Sequence, residues 1–333
     1  MPGLPSRRQG SQANMDAQSP GPTVLYNRYG RFLKDRFGEK VYKVSVDGGL
    51  NCPNLDGTLS TEGCTYCNNK SFRPQTADKT KSAYEQALDG MEYLKQRYGA
   101  RKFIVYFQPS TNTHAPLDVL APLYESAIDH RDVVGLSVGT RPDCIDEEKI
   151  SWFETLARTR FVTLEYGLQS VYDSTLKQIN RGHDYKCWTH AIEQTRNRGI
   201  YIGTHLILGF PWENRKEILD TADVLSDKGI HFLKLHHLHV VKDSTLEKEY
   251  REKPFHLLAL DEYVELVVDF LEKLNPFMII ERLHGTAPMQ QLIGPLWDTG
   301  RYGIRQAIET RMKERGTWQG KLYKNVEGLR SKV

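Results

Sequence analysis

The sequence lacks any long uninterrupted apolar stretch. Among its 333 residues, no run approaches the roughly 18–20 apolar residues with which a helix crosses a bilayer, so we expect no membrane association. The first residues also lack the apolar core of a secretory signal, which makes a cytoplasmic location the expectation. Cysteine is scarce, and five is an odd number for a disulfide framework, so reduced thiols or metal ligands are expected instead.

The sequence also lacks a large excess of positive or negative residues. With 45 Lys and Arg against 42 Asp and Glu, the net charge is +3. Residues 1–43 and 305–333 nevertheless each contain eight basic and three acidic residues, so each end carries +5 and the span 44–304 carries −7. The basic ends are either solvated surface or a phosphate-binding feature, and both interpretations stay open at this point.

The order of apolar runs predicts an α/β fold. Residues 1–22 are rich in Pro, Gly, Ser and Gln and predict a flexible tail. Short β-branched runs then alternate with helical patterns, which predicts a parallel sheet with right-handed crossovers. The predicted strands are 41–46, 103–107, 133–138, 161–166, 200–208 and 231–238. An open sheet and a barrel both fit this pattern.

Helix boundaries are marked by a few polar residues. Ser82 and Glu85 have the spacing of a capping box, and Gly99 is expected to end that helix. Ile218 and Ala222 belong to an apolar stripe typical of a helix that rests on a sheet. A later helix is predicted over Tyr263–Leu274 by the same pattern.

Three cysteines form the most informative cluster. Cys52, Cys64 and Cys67 follow the first predicted strand with C-x11-C-x2-C spacing, in a loop rich in Gly, Asn, Asp and Pro. Spacing alone leaves open a zinc site with a distant fourth ligand, an iron–sulfur cluster, inert thiols and a reversible disulfide. Cys144 and Cys187 stand alone and are expected to be small buried hydrophobes.

A family resemblance then becomes visible. Tyr66 directly precedes the last cysteine of the cluster, and a series of sequence blocks follows in order: CPNLDGT, GCTYCNN, FQPSTNTHAP, VGTRPDCI, LEYGLQS, INRGH, HLILGFPWE and LHHLHVVKDSTL. This chain resembles the YhcC-like branch of the radical S-adenosylmethionine (SAM) superfamily, related to the elongator catalytic subunit. The resemblance implies a partial (βα)6 barrel of the TIM type. The core would span 23–258, and a C-terminal extension over 259–333 would close its side.

The resemblance also implies the cofactors. Cys52, Cys64 and Cys67 would ligate three irons of a [4Fe–4S] cluster, and the amino and carboxylate groups of SAM would chelate the fourth iron. Reduction by an electron donor such as flavodoxin or ferredoxin would cleave SAM and release a 5′-deoxyadenosyl radical that abstracts hydrogen from the substrate.

Seven residues are implied as SAM contacts. Gln108 occupies the position of a Gly-Gly-Glu turn that contacts the SAM amino group in relatives, although FQPS departs from that pattern. Glu165 and Gln169 match positions used for the SAM ribose and carboxylate, and Arg181 is placed to pair with that carboxylate. The other three are Tyr66 beside the cluster, Ile207 against the adenine face and Gly209, which permits close backbone approach to adenine.

Several other polar residues have two interpretations. His236, His237 and His239 form either a metal triad or one histidine at the site mouth with the others buried. His205 is expected in the core or behind the site. Arg141 and Asp143 serve the substrate or form an ion pair, and Glu213 is expected to cap the following helix.

The substrate is predicted from the resemblance and the basic ends. Members resembling this branch are linked to the carboxymethylaminomethyl side chain of the tRNA wobble uridine, and Trp318 and Tyr323 could stack on bases. A small-molecule or porphyrin-type substrate is the alternative, because LEYGLQS and INRGH also resemble oxygen-independent coproporphyrinogen oxidases. A zinc-stabilised RNA-binding protein is the non-enzymatic alternative. The sequence identifies neither a catalytic acid or base nor the oligomeric state.

Overall fold

The main sheet contains seven parallel strands in the order β1-β2-β3-β4-β5-β6-β8. The computed structural model describes residues 21–68 and 80–324. The strands of this sheet are β1 (Val41–Val46), β2 (Lys102–Phe107), β3 (Val133–Thr140), β4 (Phe161–Gln169), β5 (Tyr201–Leu208), β6 (Phe232–His237) and β8 (Ile279–Arg282). A separate antiparallel pair joins β7 (Val240–Val241) to β9 (Leu292–Gly294).

Helices pack around the sheet. They are α1 (Tyr29–Phe37), α2 (Ala83–Tyr98), α3 (Leu117–Ile128), α4 (Glu147–Ala157), α5 (Asp173–Gln178), α6 (Tyr185–Thr195), α7 (Arg215–Ser226), α8 (Thr245–Glu252), α9 (Leu260–Lys273) and α10 (Arg301–Glu314). The predicted capping box at the start of α2 is confirmed, since the Ser82 side chain accepts from the Glu85 backbone N–H and the Glu85 side chain accepts from the Ser82 backbone N–H. Gly99 ends the helix in the left-handed conformation, as expected.

The sheet curls into a partial barrel, which confirms the fold class. Lys43 on β1 lies 2.5 Å from Glu281 on β8, so side chains of the first and last strands meet inside the curve. All six predicted strands are present, and β3 and β4 run two to three residues further than predicted because pairing continues through Thr140 and Gln169. The seventh strand comes from the part of the chain predicted as the extension.

An aromatic cluster fills the amino-terminal end of the barrel. Phe161, Tyr201 and Phe232 point inward from the first residues of their strands, and α1 brings Tyr29 and Phe32 against them. This end is therefore packed with apolar rings, which leaves the carboxyl-terminal end for ligands.

The C-terminal segment crosses the outside of the molecule near the amino-terminal end of β8. The Gln319 side-chain amide accepts from the Asn27 backbone N–H at 3.0 Å and donates to the carbonyls of Asn275 and Met278 at 2.7 and 2.8 Å. Trp318 and Tyr323 flank this anchor, at the opposite end of the strands from the cysteine loop. Stacking of these two residues on bases stays a prediction.

Two arginines, one in the last turn of α10 and one directly after it, are engaged within the protein. Arg311 pairs with Glu265 and Glu314, and Arg315 bonds to Asp269 at 2.6 Å and Glu272 at 3.0 Å. Acidic residues of α9 thus partly neutralise the positive charge of this end. The composition therefore overstates the positive charge that is available to bind phosphate.

The predicted tail over 1–22 lies outside the described residues except for its last two positions. The last nine residues of the predicted extension also lie outside them, and the boundary at 258/259 stays a prediction. Among the described residues, no helix has the length and apolar character needed to cross a membrane.

Candidate functional site

The three clustered cysteines lie in the loop after β1, at the carboxyl-terminal edge of the sheet. Cys64 is buried, Cys52 and Cys67 are half-buried, and none of the three forms a disulfide. A turn joins the last two, because the Cys67 backbone N–H donates to the Cys64 carbonyl at 2.9 Å. Burial raises the pKa of Cys67 to about 12, and the neighbouring Cys64 and Cys52 add smaller contributions in the same direction. A thiol whose ionisation is disfavoured by burial and by neighbouring sulfurs is suited to a cationic centre that stabilises its thiolate.

Side chains from two loops donate hydrogen bonds to the Cys64 sulfur. Asn54 Nδ2 lies 3.5 Å from Cys64 Sγ, and Arg181 Nη1 lies 3.6 Å from the same atom. The Arg181 guanidinium is held by a second bond, from Nη2 to the Gly167 carbonyl at 2.6 Å. Asn180 fixes the cysteine loop further by donating to the Gly63 carbonyl at 2.7 Å. Hydrogen bonds of this kind orient metal ligands and tune iron–sulfur clusters.

The side chains of the cysteine loop fit an iron–sulfur cluster. In residues 21–68 and 80–324, no three His, Cys, Asp or Glu side chains converge closely enough to hold one metal ion. Each cysteine of a [4Fe–4S] cluster binds its own iron, so its sulfurs lie farther apart than the ligands of a single tetrahedral zinc. Three thiols outside any disulfide, one of which accepts hydrogen bonds from Asn54 and Arg181, are a donor set that fits the cluster.

Two of the predicted SAM contacts form an apolar wall beside the cysteines. Tyr66 packs against the cluster of buried residues that includes Ile207, Phe210 and Leu176. Gly209 follows Ile207 with φ +94°, and a Cβ there would lie 2.8 Å from the Leu258 side chain. The structure thus brings Tyr66, Ile207 and Gly209 to one side of the site, where a planar base could be covered from water.

Two predicted glutamines lie at the ends of neighbouring strands. Gln108 follows β2, and its side-chain oxygen accepts from the Ser45 hydroxyl at 3.1 Å. Gln169 ends β4 at a bulge, where its φ is +78°. The Gln169 Nε2 and Arg181 Nη2 atoms both lie close to Gly167, at 2.7 and 2.8 Å from the position that a Cβ on this glycine would take. Both glutamines are half-buried at the carboxyl-terminal edge, as expected for ligand contacts, and their binding of SAM stays a prediction.

Glu165 belongs to a buried charge network inside the barrel. Its carboxylate accepts from Lys43 at 2.6 Å, Ser137 at 2.5 Å and His205 at 2.9 Å, and it also pairs with Lys234. We call Glu165, Lys43, Lys234, His205 and Glu281 the inner cage. Glu281 completes it by bonding to both lysines, at 2.5 and 3.1 Å.

The inner cage fixes the protonation of its members. Burial opposes ionisation of Glu165, but Lys234, Lys43 and His205 outweigh burial and hold its pKa well below the ordinary value. Burial likewise opposes the charged form of Lys43, yet Glu165 and Glu281 raise its pKa well above normal. Burial dominates for Lys234 and lowers its pKa. Because the Glu165 oxygens are occupied by protein donors, its predicted contact with SAM stays a prediction without support from this geometry.

The histidines of β6 separate onto two sides of the strand. His236 faces the barrel interior, with its ring 5.8 Å from that of His205, whereas His237 stacks on Trp297 at 4.2 Å. His239 follows the end of the strand, and its ring lies 4.0 Å from His237. Burial lowers the pKa of His237 to about 2 and that of His239 to about 4, so both stay neutral near pH 7. Packing, and not a metal triad, accounts for this pattern.

Other sequence interpretations are resolved by direct contacts. Arg141 is an ion-pair residue, with Nε and Nη2 bonded to Asp143 at 2.9 and 2.7 Å. The expectation that Glu213 caps α7 is wrong, because Asn214 accepts from the Glu217 backbone N–H and Glu213 instead accepts from Ser170 at 2.5 Å. His205 bonds to Glu165 behind the site, as expected.

The expectation that Cys144 and Cys187 are buried hydrophobes is also wrong. Both are half-buried. Cys144 follows β3 in the short turn Pro142–Cys144, and Cys187 lies in the first turn of α6, where partial solvent contact replaces core packing.

Sequence reasoning missed the basic half of the inner cage. Lys43 and Lys234 are each the third residue of a strand, with apolar residues directly before and after them, and Glu281 is their shared partner on β8. A lysine at an inward position of a buried strand needs a carboxylate partner, so strand alternation could have indicated these positions.

The fold and site together define an enzyme of the partial-barrel type, with a three-thiol loop at the carboxyl-terminal edge of its parallel strands. The Radical SAM superfamily model matches residues 60–225, and the Radical_SAM C-terminal domain model matches residues 230–314. The protein belongs to the radical SAM superfamily, whose members use SAM and a [4Fe–4S] cluster.

Curated relatives match nearly the whole chain. It is 36% identical to the uncharacterized protein YtqA of Bacillus subtilis, over 91% of this chain and 94% of that protein. Protein YhcC of Escherichia coli is 34% identical, over 88% of this chain and 94% of that protein. A more distant relative is the tRNA uridine(34) acetyltransferase of Dehalococcoides mccartyi, 27% identical over 54% of this chain and 39% of that protein.

A solved structure supports the fold. The archaeal Elp3 of Methanocaldococcus infernus superposes with a TM-score of 0.66 at 16% identity, covering 84% of this chain and 64% of that chain. This chain therefore shares its fold with that protein over most of its length.

Proposed function

We propose that this enzyme holds a [4Fe–4S] cluster on Cys52, Cys64 and Cys67, cleaves SAM reductively there, and modifies the wobble uridine of tRNA at its carboxymethylaminomethyl side chain. The observation that carries the proposal is the loop of three cysteines, none in a disulfide, in which the Cys64 sulfur accepts from Asn54 and Arg181. When bound and reduced by flavodoxin or ferredoxin, the cluster supplies the electron that cleaves SAM to a 5′-deoxyadenosyl radical.

The surrounding side chains have distinct tasks in this proposal. Arg181 and Asn54 orient Cys64 and stabilise negative charge on its sulfur. Tyr66 and Ile207 form an apolar cover that excludes water from the radical, and Gly209 lets the backbone approach the adenine. Gln108 and Gln169 keep their proposed SAM contacts, whereas the Glu165 carboxylate is already bonded to Lys43, Lys234 and His205.

The tRNA assignment is supported by distant kinship and not by surface charge. A relative of this chain acts on uridine 34 of tRNA by its name. By contrast, the basic α10 is engaged with acidic residues of α9, and the predicted stacking residues lie at the other end of the barrel. RNA contacts are therefore expected around the carboxyl-terminal edge of the sheet.

Two measurements test the proposal. A strain that lacks the protein should accumulate tRNA whose wobble uridine carries an unprocessed side chain, seen by mass spectrometry of nucleosides. Reconstituted wild type should convert that tRNA in the presence of SAM and a reductant. Cys67→Ala should be inactive, and Cys187→Ser should be active because Cys187 lies outside the cysteine loop. Unchanged wobble nucleosides in the strain would refute the tRNA assignment, and turnover of a porphyrin instead would support the alternative.

A further inference from the structure

A half-buried arginine lies where the last strand of the barrel bulges. On β8, Ile280 pairs with Leu233 but Arg282 pairs with Lys234, so Glu281 is an extra residue in the register. Lys234 points into the barrel, and its partner Arg282 shares that side. In agreement, the Arg282 charge acts on Tyr106, Lys234 and His236, all of which face the interior.

Arg282 is the cation that the inner cage leaves without an anion. The two carboxylates of the cage, Glu165 and Glu281, are both bonded to Lys43 and Lys234. In the described part of the chain, the Arg282 side chain has no hydrogen bond and no ion pair of its own. Three cations thus face two carboxylates. The unmatched charge, Arg282, is the last residue of β8, and the cysteine loop follows β1 at the same end of the parallel strands.

A buried polar atom without a partner belongs to His236, two residues along β6 from Lys234, the strand partner of Arg282. The Nε2 atom of His236 is buried and has no hydrogen-bond partner. Its ring neighbours His205, whose side chain keeps 20% exposure and so borders open space within the barrel. Gly285 preserves the fit around this ring, since a Cβ there would lie 3.0 Å from His236 Nδ1 and from His239 Cε1. An arginine and an orphaned imidazole together form a recognition site for an anion.

We propose that Arg282, with His236, binds the carboxylate of the substrate side chain inside the barrel. This inference rests on the proposed function, because the carboxymethylaminomethyl group of a wobble uridine ends in a carboxylate. A guanidinium binds a carboxylate with two parallel hydrogen bonds, which fixes the side chain relative to the cysteine loop. An RNA phosphate offers the same chemistry, but a flipped nucleoside brings its base substituent, and not its backbone, deep into a pocket.

Calorimetry with two anticodon stem–loop RNAs tests the inference. The RNAs differ only at the wobble position, one with 5-carboxymethylaminomethyluridine and the other with 5-aminomethyluridine. The protein carries its cluster and SAM but receives no reductant, so binding is measured without turnover. We expect the carboxylate RNA to bind about 10- to 100-fold more tightly, the range for hydrogen bonds to a charged group.

Variants of Arg282 separate the two sources of anion. Arg282→Gln should lower affinity for the carboxylate RNA to that of the aminomethyl RNA and leave the latter unchanged, and Arg282→Lys should keep part of the preference. Arg198→Gln, which alters a surface arginine bonded to Glu147 and Glu154, should behave as wild type. The unfolding midpoint of Arg282→Gln should match wild type because no ion pair is lost.

The contrary outcomes are distinct. Equal binding of the two RNAs by wild type overturns the carboxylate subsite while leaving the proposed function intact. An equal loss of both affinities in Arg282→Gln also overturns it and assigns Arg282 to a phosphate. If wild type binds neither RNA, the proposed function fails and this inference fails with it.

Discussion

Removing the Glu165 carboxylate should strongly destabilise the barrel. The Glu165 side chain is fully buried and accepts from Lys43, Lys234, His205 and Ser137. In Glu165→Gln, Glu281 alone faces two buried lysines, and an amide N–H₂ replaces one acceptor. Breaking a buried pair in this way costs about 3–5 kcal/mol, a large part of the roughly 5–15 kcal/mol that stabilises a domain.

Urea unfolding under anaerobic conditions measures this cost. The midpoint should fall at unchanged slope, and the exposed Glu148→Gln should change the free energy of unfolding by less than about 0.5 kcal/mol. Lys234→Met should also lower the free energy of unfolding. The double variant Glu165→Gln, Lys234→Met should lose less than the sum of the two single losses, because each substitution removes the buried partner that the other would leave unpaired. Additive costs, or a Glu165→Gln cost below about 1 kcal/mol, would show that the cage does not hold the barrel together.

The same carboxylate predicts a pH dependence. The Glu165 pKa in the folded state is well below its ordinary value of about 4.3, so the unfolded chain binds this proton first as pH falls. Its contribution is therefore complete above about pH 5 and is lost as pH falls through the unfolded and then the folded pKa. Glu165→Gln should lose less stability than wild type between pH 5 and pH 3, and parallel curves would contradict the assignment.

Three further outcomes follow from other contacts. Arg181→Met removes a donor from the Cys64 sulfur, so the cluster potential should fall by about 60 mV, equivalent to ~1.4 kcal/mol for one electron; an unchanged potential in an EPR-monitored titration would contradict this role. Gln319→Ala loses three buried hydrogen bonds and should cost about 2–4 kcal/mol in urea unfolding, against no measurable change for the exposed Gln290→Ala. Arg311→Gln should leave tRNA affinity and its salt dependence unchanged, because Glu265 already holds Arg311; a weaker salt dependence would place α10 on the RNA.

Local patterns predicted the strands and the cysteine loop well. Strand alternation and the capping residues act within a few neighbouring positions, so β1 and the start of α2 could be placed to the residue from the sequence. The C-x2-C pair is also local, since a single turn brings Cys64 and Cys67 together.

The rest of the site depends on contacts that are distant in the chain. Lys43 and Glu281 are 238 positions apart and meet only because the sheet curls. The bulge that turns Arg282 inward is set by pairing with β6, and no pattern within β8 marks it. Composition likewise could not show that the basic α10 is paired with α9, because helix packing determines which charges remain free for a ligand.

Anaerobic reconstitution with iron and sulfide, followed by a SAM-cleavage assay, tests the central claim most directly. The wild-type protein should bind four irons per chain, turn brown, and release 5′-deoxyadenosine when given SAM and a low-potential reductant. Cys67→Ala should release none, and Cys187→Ser should match wild type. A colourless protein that binds one zinc, or a fully loaded cluster that leaves SAM intact, would contradict the account.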